Sequence, residues 1–270
     1  MSKVFIHSAV LLSQPREALS GEACCFQEPD YRKYIPPVQA RRMGMLLKRS
    51  LVAAKMALEE ASPEVPEAVL CGTGLGCMEP TERILAALKE QGEGSVSPTD
   101  FMQSTHNTIA STIAIHLGCR GYNCTYSQGE VSFESALLDA FLQIKAGVLG
   151  SALVCAADEM TDATFRRLDG CGYFPEGTVA SALSAALVLS SRPEGALCSL
   201  EEVQLFYGAA SMPGCAKALG QRDYEALYGK CPVSAAAGVW MAVSELSAGT
   251  EGPILVHKTP APDGAAIILR

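Results

Sequence analysis

Apolar positions along the chain follow two different patterns. Continuous runs of small and β-branched residues, as at 151–157 and 182–190, are typical of strands buried on both faces. Elsewhere apolar residues recur every three or four positions, as Phe133, Leu137 and Phe141 do, which predicts helices with one side facing a core. Strands and helices that alternate in this way indicate an α/β fold built in layers.

The pattern predicts two groups of elements and a short connector, RPEGAL, between them. The predicted strands are 3–12, 69–76, 122–127, 151–157, 182–190, 199–208, 254–257 and 265–269. The predicted helices are 37–60, 79–91, 105–117, one starting at Ser132, and 234–246. We therefore expect a first half at 1–192 and a shorter second half at 193–270, packed together as one unit.

Composition excludes several classes of protein. With 270 residues, 49% hydrophobic, the chain is too apolar to be disordered. A net charge of -8 disfavours nucleic acid as a partner, and no window approaches the ~20 apolar residues of a membrane span. The 11 cysteines are scattered without C-x-x-C spacing, and Cys24 and Cys25 are adjacent. We expect free thiols in the cytoplasm and neither a metal nor a cofactor.

A glycine-rich loop follows the second predicted strand. Gly72, Gly74 and Gly76 are spaced G-x-G-x-G, whereas the dinucleotide-binding fingerprint places its third glycine one residue later. The P-loop spacing and its Gly-Lys pair are absent as well. Close backbone packing beside a pocket or an interface is the preferred interpretation over phosphate binding.

Four segments stand in an order that resembles the N-terminal half of the β-ketoacyl synthases. They are GTGLG, LGCRG, the strand and turn at 122–132, and GSALVCAAD. The resemblance spans roughly Val69 to Ser190 and implies a thiolase-like layered α-β-α-β-α fold, here with the second half shortened.

In that family the turn within the third of these segments, between the strand and the next helix, carries a nucleophilic cysteine. Ungapped counts forward from Gly121 and backward from Ser151 both place it on Glu130. A carboxylate there would give only a labile mixed anhydride with an acyl group, or would simply cap the next helix. Placing Gln128 there needs a two-residue shift. Cys119 and Cys124 are weighed as substitutes but are interpreted as buried thiols.

Active members also use two histidines from the second half. By resemblance, Cys231 takes the place of one, before a small-residue helix, and the chain between 200 and 229 is too short for the other. The histidines at 106, 116 and 257 are interpreted as structural. The sequence thus predicts no catalytic residue, with Glu130 and Cys231 as degenerate positions.

The resemblance implies a non-catalytic subunit, similar to chain-length factors, that pairs with a full-length ketosynthase as a heterodimer, or with itself. The predicted strand 122–127 would pair across a two-fold axis. Residues expected at the shared interface or acyl tunnel are Phe101, Met102, Gln103, Tyr126, Gln128, Phe133 and Glu134. For Phe101 and Phe133 ordinary core packing is the alternative.

The acidic chain should attract an acidic acyl carrier protein poorly, so carrier docking is expected mainly on the ketosynthase partner. Two alternative functions stay open. One alternative function is a malonyl-carrier decarboxylase or weakly active ketosynthase. The other is a scaffold that touches no substrate.

Overall fold

The computed structural model describes residues 2–15, 28–61, 64–207, 215, 217–258 and 263–270. Cys24 and Cys25 lie outside these ranges. The described strands are β1 Val4–Pro15, β2 Ala68–Gly72, β3 Tyr122–Tyr126, β4 Ser151–Asp158, β5 Ser181–Ser190, β6 Cys198–Tyr207, β7 Lys217–Gly220, β8 Ile254–Lys258 and β9 Asp263–Leu269. The described α-helices are α1 Tyr31–Tyr34, α2 Pro37–Ala40, α3 Met45–Ala61, α4 Met78–Gln91, α5 Pro98–Ser104, α6 Thr108–Leu117, α7 Ser132–Lys145, α8 Asp162–Gly170, α9 Gln221–Tyr228 and α10 Ala235–Ser247.

The strands form one sheet whose two halves repeat the same pattern. Its order is β3-β2-β4-β5-β1-β6-β9-β8-β7, and β1 pairs antiparallel with β6 at the middle. From β1 outward, the pairings with β5 and then β4 are antiparallel and the next, between β4 and β2, is parallel. From β6 outward, the pairings with β9 and then β8 are antiparallel and the next, between β8 and β7, is parallel. The first half then adds β3 at its edge, and the described residues hold no counterpart of β3 in the second half. The shortened second half is therefore confirmed.

Helices pack on the sheet in layers. Helices α3 and α6 cover one face of the first half, where Leu51, Val52 and Ile113 are fully buried. On the opposite face α7 packs against β2 and β4 and also reaches β6, while α10 contacts both β8 and β1. Because α7 and α10 each contact strands of both halves, they form an inner layer. This arrangement confirms the predicted layered α/β fold of the thiolase-like type.

The predicted helix 37–60 is broken into α2 and α3, and this boundary prediction was wrong. The backbone N–H of Gly44 donates to Gln103 Oε1 at 3.1 Å, and the Gln103 amide donates to the carbonyl of Arg42. A side chain from α5 thus satisfies the backbone groups that the break exposes.

Sequence patterning missed α1, α5, α8, α9 and β7. Helices α5 and α8 do carry start signals: Ser97 Oγ accepts from the N–H of Asp100, and Thr161 Oγ1 accepts from the N–H of Thr164. Both are N-cap bonds of the usual kind. Their apolar content is low, so periodicity alone could not reveal them.

Candidate functional site

The glycine loop after β2 wraps around a buried carboxylate of the chain itself. Asp158, the last residue of β4, accepts from the backbone N–H groups of Gly74 (3.1 Å), Leu75 (2.7 Å) and Gly76 (3.2 Å) and from Thr73 Oγ1 (2.8 Å). Burial raises the pKa of Asp158 to about 6, and these hydrogen bonds oppose the rise. The N–H groups that a phosphate would need are already used.

Two glycines allow this loop to approach its neighbours closely. A Cβ on Gly72 would lie 2.4 Å from Phe133 Cα, and one on Gly74 would lie 2.5 Å from Pro232 Cβ. No side chain fits at either position. The expected close backbone packing is confirmed, and it brings the loop against the first turn of α7 and the segment before α10.

The turn that carries Glu130 connects β3 to α7. It is a single 3₁₀ turn, Gly129–Val131, held by Ser132, whose Oγ donates to the carbonyl of Gly129 at 2.7 Å and accepts from the N–H of Gln128 at 2.9 Å. Glu130 therefore lies at the entry to α7, as the sequence comparison predicted.

A buried lysine holds this turn. Lys258, at the end of β8, has only 2% of its side chain exposed. Its Nζ donates to the Glu130 carbonyl at 2.6 Å and to the Pro232 carbonyl at 3.0 Å, and lies 2.7 Å from Glu130 Oε2. The Tyr173 hydroxyl donates to the other carboxylate oxygen of Glu130. We call Glu130, Lys258 and Tyr173 the clasp, because it connects the turn in the first half to a strand of the second.

The charges around Lys258 favour its protonated form. Burial alone would lower the pKa of Lys258, but the carboxylates of Glu134 and Glu130 outweigh this and raise the pKa above 10.5. Burial and the neighbouring Glu130 carboxylate raise the pKa of the Tyr173 hydroxyl, which stays a hydrogen-bond donor. The clasp is therefore an ion pair with a neutral phenol attached.

Glu134, one turn into α7, is fully buried beside the clasp. Neither of its carboxyl oxygens has a hydrogen-bond partner among the described residues, and the hydroxyl of Tyr224 is unpartnered in the same way. Burial raises the pKa of Glu134 to about 7, and the Lys258 ammonium opposes the rise. Glu134 is thus a buried carboxyl group whose raised pKa favours its protonated form more than that of an exposed glutamate.

The residues predicted for a shared interface or tunnel fall into two groups. On α5, Phe101 and Met102 are 63% and 64% exposed, which excludes core packing for Phe101 in this chain alone. On α7, Phe133 and Glu134 are completely buried. Tyr126 ends β3 half-buried, Gln128 accepts from the Ser135 hydroxyl in the turn, and Gln103 spans the break before α3.

A cavity that the sequence did not indicate lies beside the turn. Its volume is about 630 Å³, and its lining consists of Gln128, Val131, Leu205, Phe206, Tyr207 and Gly264. The end of β6 contributes half of these residues. The sequence pattern could not predict the contact between β6 and the turn, because the two segments are about 75 positions apart and are brought together by the order of strands in the sheet.

The free edge of β3 is bordered by exposed apolar side chains. β3 is the outermost strand of the sheet and pairs only with β2 in the described structure. The two helices that contact β3 carry exposed apolar residues, Ile115 on α6 and Leu142 on α7. An unpaired strand edge with apolar flanks is a surface suited to pairing with another chain.

The described residues hold neither a cluster of metal ligands nor a helix that could span a membrane. Among them no three His, Cys, Asp or Glu side chains converge as a metal ion would require. None of the described helices combines the length and hydropathy that crossing a bilayer requires.

The model of the β-ketoacyl synthase N-terminal domain matches residues 19–224 of this chain, well over half of its length. The chain belongs to the β-ketoacyl synthase family. It is 33% identical over 104 residues to 3-oxoacyl-[acyl-carrier-protein] synthase 2 of Vibrio cholerae serotype O1 and 29% identical over 104 residues to that of Vibrio harveyi. Each match covers 36% of this chain and 25% of the relative, so it spans about a quarter of those synthases.

Solved β-ketoacyl synthase structures share the fold at low identity. A type II polyketide acyl carrier protein in complex with its ketosynthase gives a TM-score of 0.80 at 16% identity, covering 100% of this chain and 99% of that one. The ishigamide ketosynthase/chain length factor gives 0.74 at 16%, covering 99% of each chain. The ketosynthase ApeO in complex with its chain length factor ApeC, from Xenorhabdus doucetiae, gives a TM-score of 0.70 at 14% identity, covering 99% of this chain and 98% of that one.

The predicted histidine position of this β-ketoacyl synthase family member carries no imidazole. Cys231 is fully buried, and burial raises the pKa of its thiol well above the ordinary value. A buried, protonated thiol cannot act as the imidazole would.

The other candidate groups are placed away from the turn or face elsewhere. His257 precedes Lys258 in β8, so the two side chains point to opposite faces of the sheet. His116 Nδ1 is 2.8 Å from the Thr112 carbonyl within its own helix. Cys119 donates to the Pro66 carbonyl at 3.1 Å, and Cys124 lies in the middle of β3.

Proposed function

We propose that this chain is a non-catalytic ketosynthase-like subunit that pairs with an active β-ketoacyl synthase and helps to shape its acyl tunnel in type II fatty acid or polyketide synthesis. The observation that carries the proposal is the clasp. The predicted nucleophile position holds a carboxylate engaged by a buried ammonium and a phenol, with no sulfur to form a thioester. Any acyl group on that carboxylate would be a hydrolysable anhydride.

The clasp also argues against a decarboxylase. Such an enzyme needs hydrogen-bond donors free to stabilise an enolate. Lys258 is the cation bound directly to this turn, and an ammonium has three N–H donors. The carbonyls of Glu130 and Pro232 and the Glu130 carboxylate occupy all three. The clasp is therefore arranged for structure and not for enolate stabilisation.

Pairing through the edge of β3 is the arrangement we propose for the complex. The free edge supports it, since a second sheet edge could continue the ladder there, and so do the exposed Ile115 and Leu142 on the two helices that contact β3. The partner is a full-length ketosynthase, and a homodimer through the same edge is the alternative. In either case Tyr126 and Gln128 lie at the end of β3 nearest the turn.

Two further expectations belong to this proposal. Residues 1–192 and 193–270 form the two halves of one unit, which the pairing of β1 with β6 supports. A cytoplasmic location is supported by nine described cysteines that are free thiols, five of them buried.

Co-expression with a ketosynthase tests the tunnel role. Phe101→Trp enlarges an exposed side chain on α5, and Leu197→Trp, in the connector before β6, serves as a matched control. We expect the subunit to co-purify with the ketosynthase in both cases and the product length to change only with Phe101→Trp. Unchanged products with intact pairing would indicate a scaffold. Carbon dioxide released from malonyl carrier protein by this chain alone would indicate a decarboxylase.

A further inference from the structure

Two polar groups in the core beside the clasp have no hydrogen-bond partner among the described residues. They are the carboxyl group of Glu134, on α7, and the hydroxyl of Tyr224, on α9, and both side chains are completely buried. After burial, the Glu134 carboxylate is the largest cause that raises the pKa of Tyr224, so the two groups lie close together. A buried carboxylate without a donor is costly once it is ionised.

Lys258 is the cation that acts on Glu134. The charged groups that face this carboxyl group are Lys258, from β8, and Glu130, from the turn before α7. Helix α9 brings Tyr224 and, close to Lys258, Glu225, which already accepts from two side chains of its own. In the structure the Lys258 Nζ contacts the carboxylate of Glu130, at 2.7 Å. Two carboxylates, those of Glu130 and Glu134, therefore compete for one ammonium.

The other titratable groups on the elements around α7 are engaged elsewhere. They are Cys231, whose pKa is raised by burial; Asp158, enclosed by the glycine loop; Tyr122, whose hydroxyl donates to Asp139; and Glu245, which pairs with Lys217. The two carboxylates of β6, Glu201 and Glu202, accept from side chains of their own strand. Within the described ranges, Lys258 is therefore the cation that Glu134 can gain.

The two competing carboxylates differ in their access to water. The side chain of Glu130 is 31% exposed and also accepts from the Tyr173 hydroxyl, whereas Glu134 is completely buried and has no donor among the described residues. A carboxylate released at Glu130 is hydrated, but an ionised carboxylate at Glu134 has to find its donor inside the protein. The ammonium therefore stabilises Glu134 more than Glu130 once both are charged.

The protonation of Glu134 decides when this competition arises. Burial raises the pKa of Glu134 to about 7, the Lys258 ammonium opposes the rise, and the Glu130 carboxylate adds to it. At lower pH Glu134 is neutral and needs no cation, and at higher pH it is a buried anion. The pKa of Lys258 lies above 10.5, so Lys258 keeps its proton throughout this interval.

We propose that the Lys258 ammonium moves from the Glu130 carboxylate to the Glu134 carboxylate when Glu134 releases its proton to solvent. Lys258 keeps its bonds to the carbonyls of Glu130 and Pro232, so only one of its three donors changes partner. The Glu130 carboxylate is then held by the Tyr173 hydroxyl and by water. The clasp is closed at low pH and partly released at high pH.

The exchange changes the wall of a cavity. Gln128 and Val131, on either side of Glu130, line the cavity of about 630 Å³ beside the turn, so a turn that is held less firmly alters the shape of that cavity. The groups involved all belong to this chain, and the exchange needs no partner subunit. Its failure would therefore leave the proposed function untouched.

Carbon-13 NMR of the glutamate side-chain carboxyl groups in the full chain, recorded from pH 5 to pH 9, tests the exchange. We expect the Glu134 signal to titrate with a midpoint of about 7 and the Glu130 signal to shift with the same midpoint. In Glu134→Gln the Glu130 shift should disappear. Asp139→Asn is the matched control, because it removes a carboxylate of the same helix that is bonded to Tyr122, and it should leave the Glu130 shift in place.

Amide hydrogen exchange measures how firmly the turn itself is held. At pH 8 the amides of residues 129–132 should exchange at least about 3-fold faster in the wild-type chain than in Glu134→Gln, because only the wild type transfers its ammonium. At pH 5, where Glu134 is neutral, the two chains should exchange at equal rates.

Each other outcome overturns the proposal. A Glu130 signal that stays constant while Glu134 titrates would show that Lys258 does not change partner. A Glu134 midpoint that moves in Tyr224→Phe, with the Glu130 signal constant, would show that the Tyr224 hydroxyl is the donor that Glu134 gains. A Glu134 signal without a titration step between pH 5 and pH 9 would remove the trigger. If Glu134→Gln does not fold, the wild-type titration decides the question by itself, because both signals are followed in one sample.

Discussion

Replacing Lys258 by methionine removes the cation of the clasp while keeping the length of the side chain. Three acceptors lose their donor: the Glu130 and Pro232 carbonyls and the Glu130 carboxylate. Removing one partner of a buried ion pair costs about 3–5 kcal/mol. The side chain of Glu130 is 31% exposed, so water screens part of the orphaned charge. We therefore expect a loss of about 3 kcal/mol, at the lower end of that range.

Urea denaturation measures this loss directly, provided the m-value is unchanged. Lys217→Met is a matched control, because Lys217 also lies in a strand of the second half but forms an exposed ion pair with Glu245. That variant should lose no more than about 1 kcal/mol. The double variant Lys258→Met/Glu130→Met should be less destabilised than the sum of its single variants, by more than about 1 kcal/mol. A loss for Lys258→Met as small as that for Lys217→Met would refute the clasp.

Three further predictions concern the surroundings of the turn. Burial raises the pKa of Glu134 from 4.5 to about 7, so the folded chain holds a proton that the unfolded chain has released, and stability falls as pH rises through that interval. Glu134→Gln should make urea midpoints between pH 5 and pH 8 less pH-dependent, and an unaltered slope would exclude Glu134 as the titrating group. Gly72→Ala should lose about 2–3 kcal/mol because its Cβ meets the backbone of Phe133, whereas Gly94→Ala, with open space around it, should be nearly neutral in the same assay. Native-state iodoacetamide labelling read by peptide mass spectrometry should modify exposed Cys171 well before Cys231, whose pKa is raised by burial, and equal rates would contradict a buried, protonated thiol.

The sequence predicted every described strand except β7, because each of the others carries its own signal. The continuous apolar run of β4 and its neighbour β5 reflects burial on both faces, and the structure confirms both. Helices with low apolar content, such as α8, give no comparable periodicity. The break between α2 and α3 depends on Gln103, about 60 residues away, so local pattern could not reveal it.

The site was predictable in one respect and not in another. Counts from the motifs that resemble the β-ketoacyl synthases placed Glu130 in a turn before a helix, and the structure has it in the turn before α7. Lys258 and Tyr173, which decide how that carboxylate is held, come from β8 and from the segment after α8. The periodicity of apolar residues does not reveal contacts between residues so far apart in the sequence.

We predict that this chain forms no stable acyl thioester at the turn of Glu130. Intact-protein mass spectrometry of the co-purified complex, after incubation with acyl-loaded carrier protein, tests it directly. We predict an acyl mass increment on the ketosynthase chain and none on this chain. A stable acyl increment on this chain, abolished by replacing a single cysteine, would contradict the account.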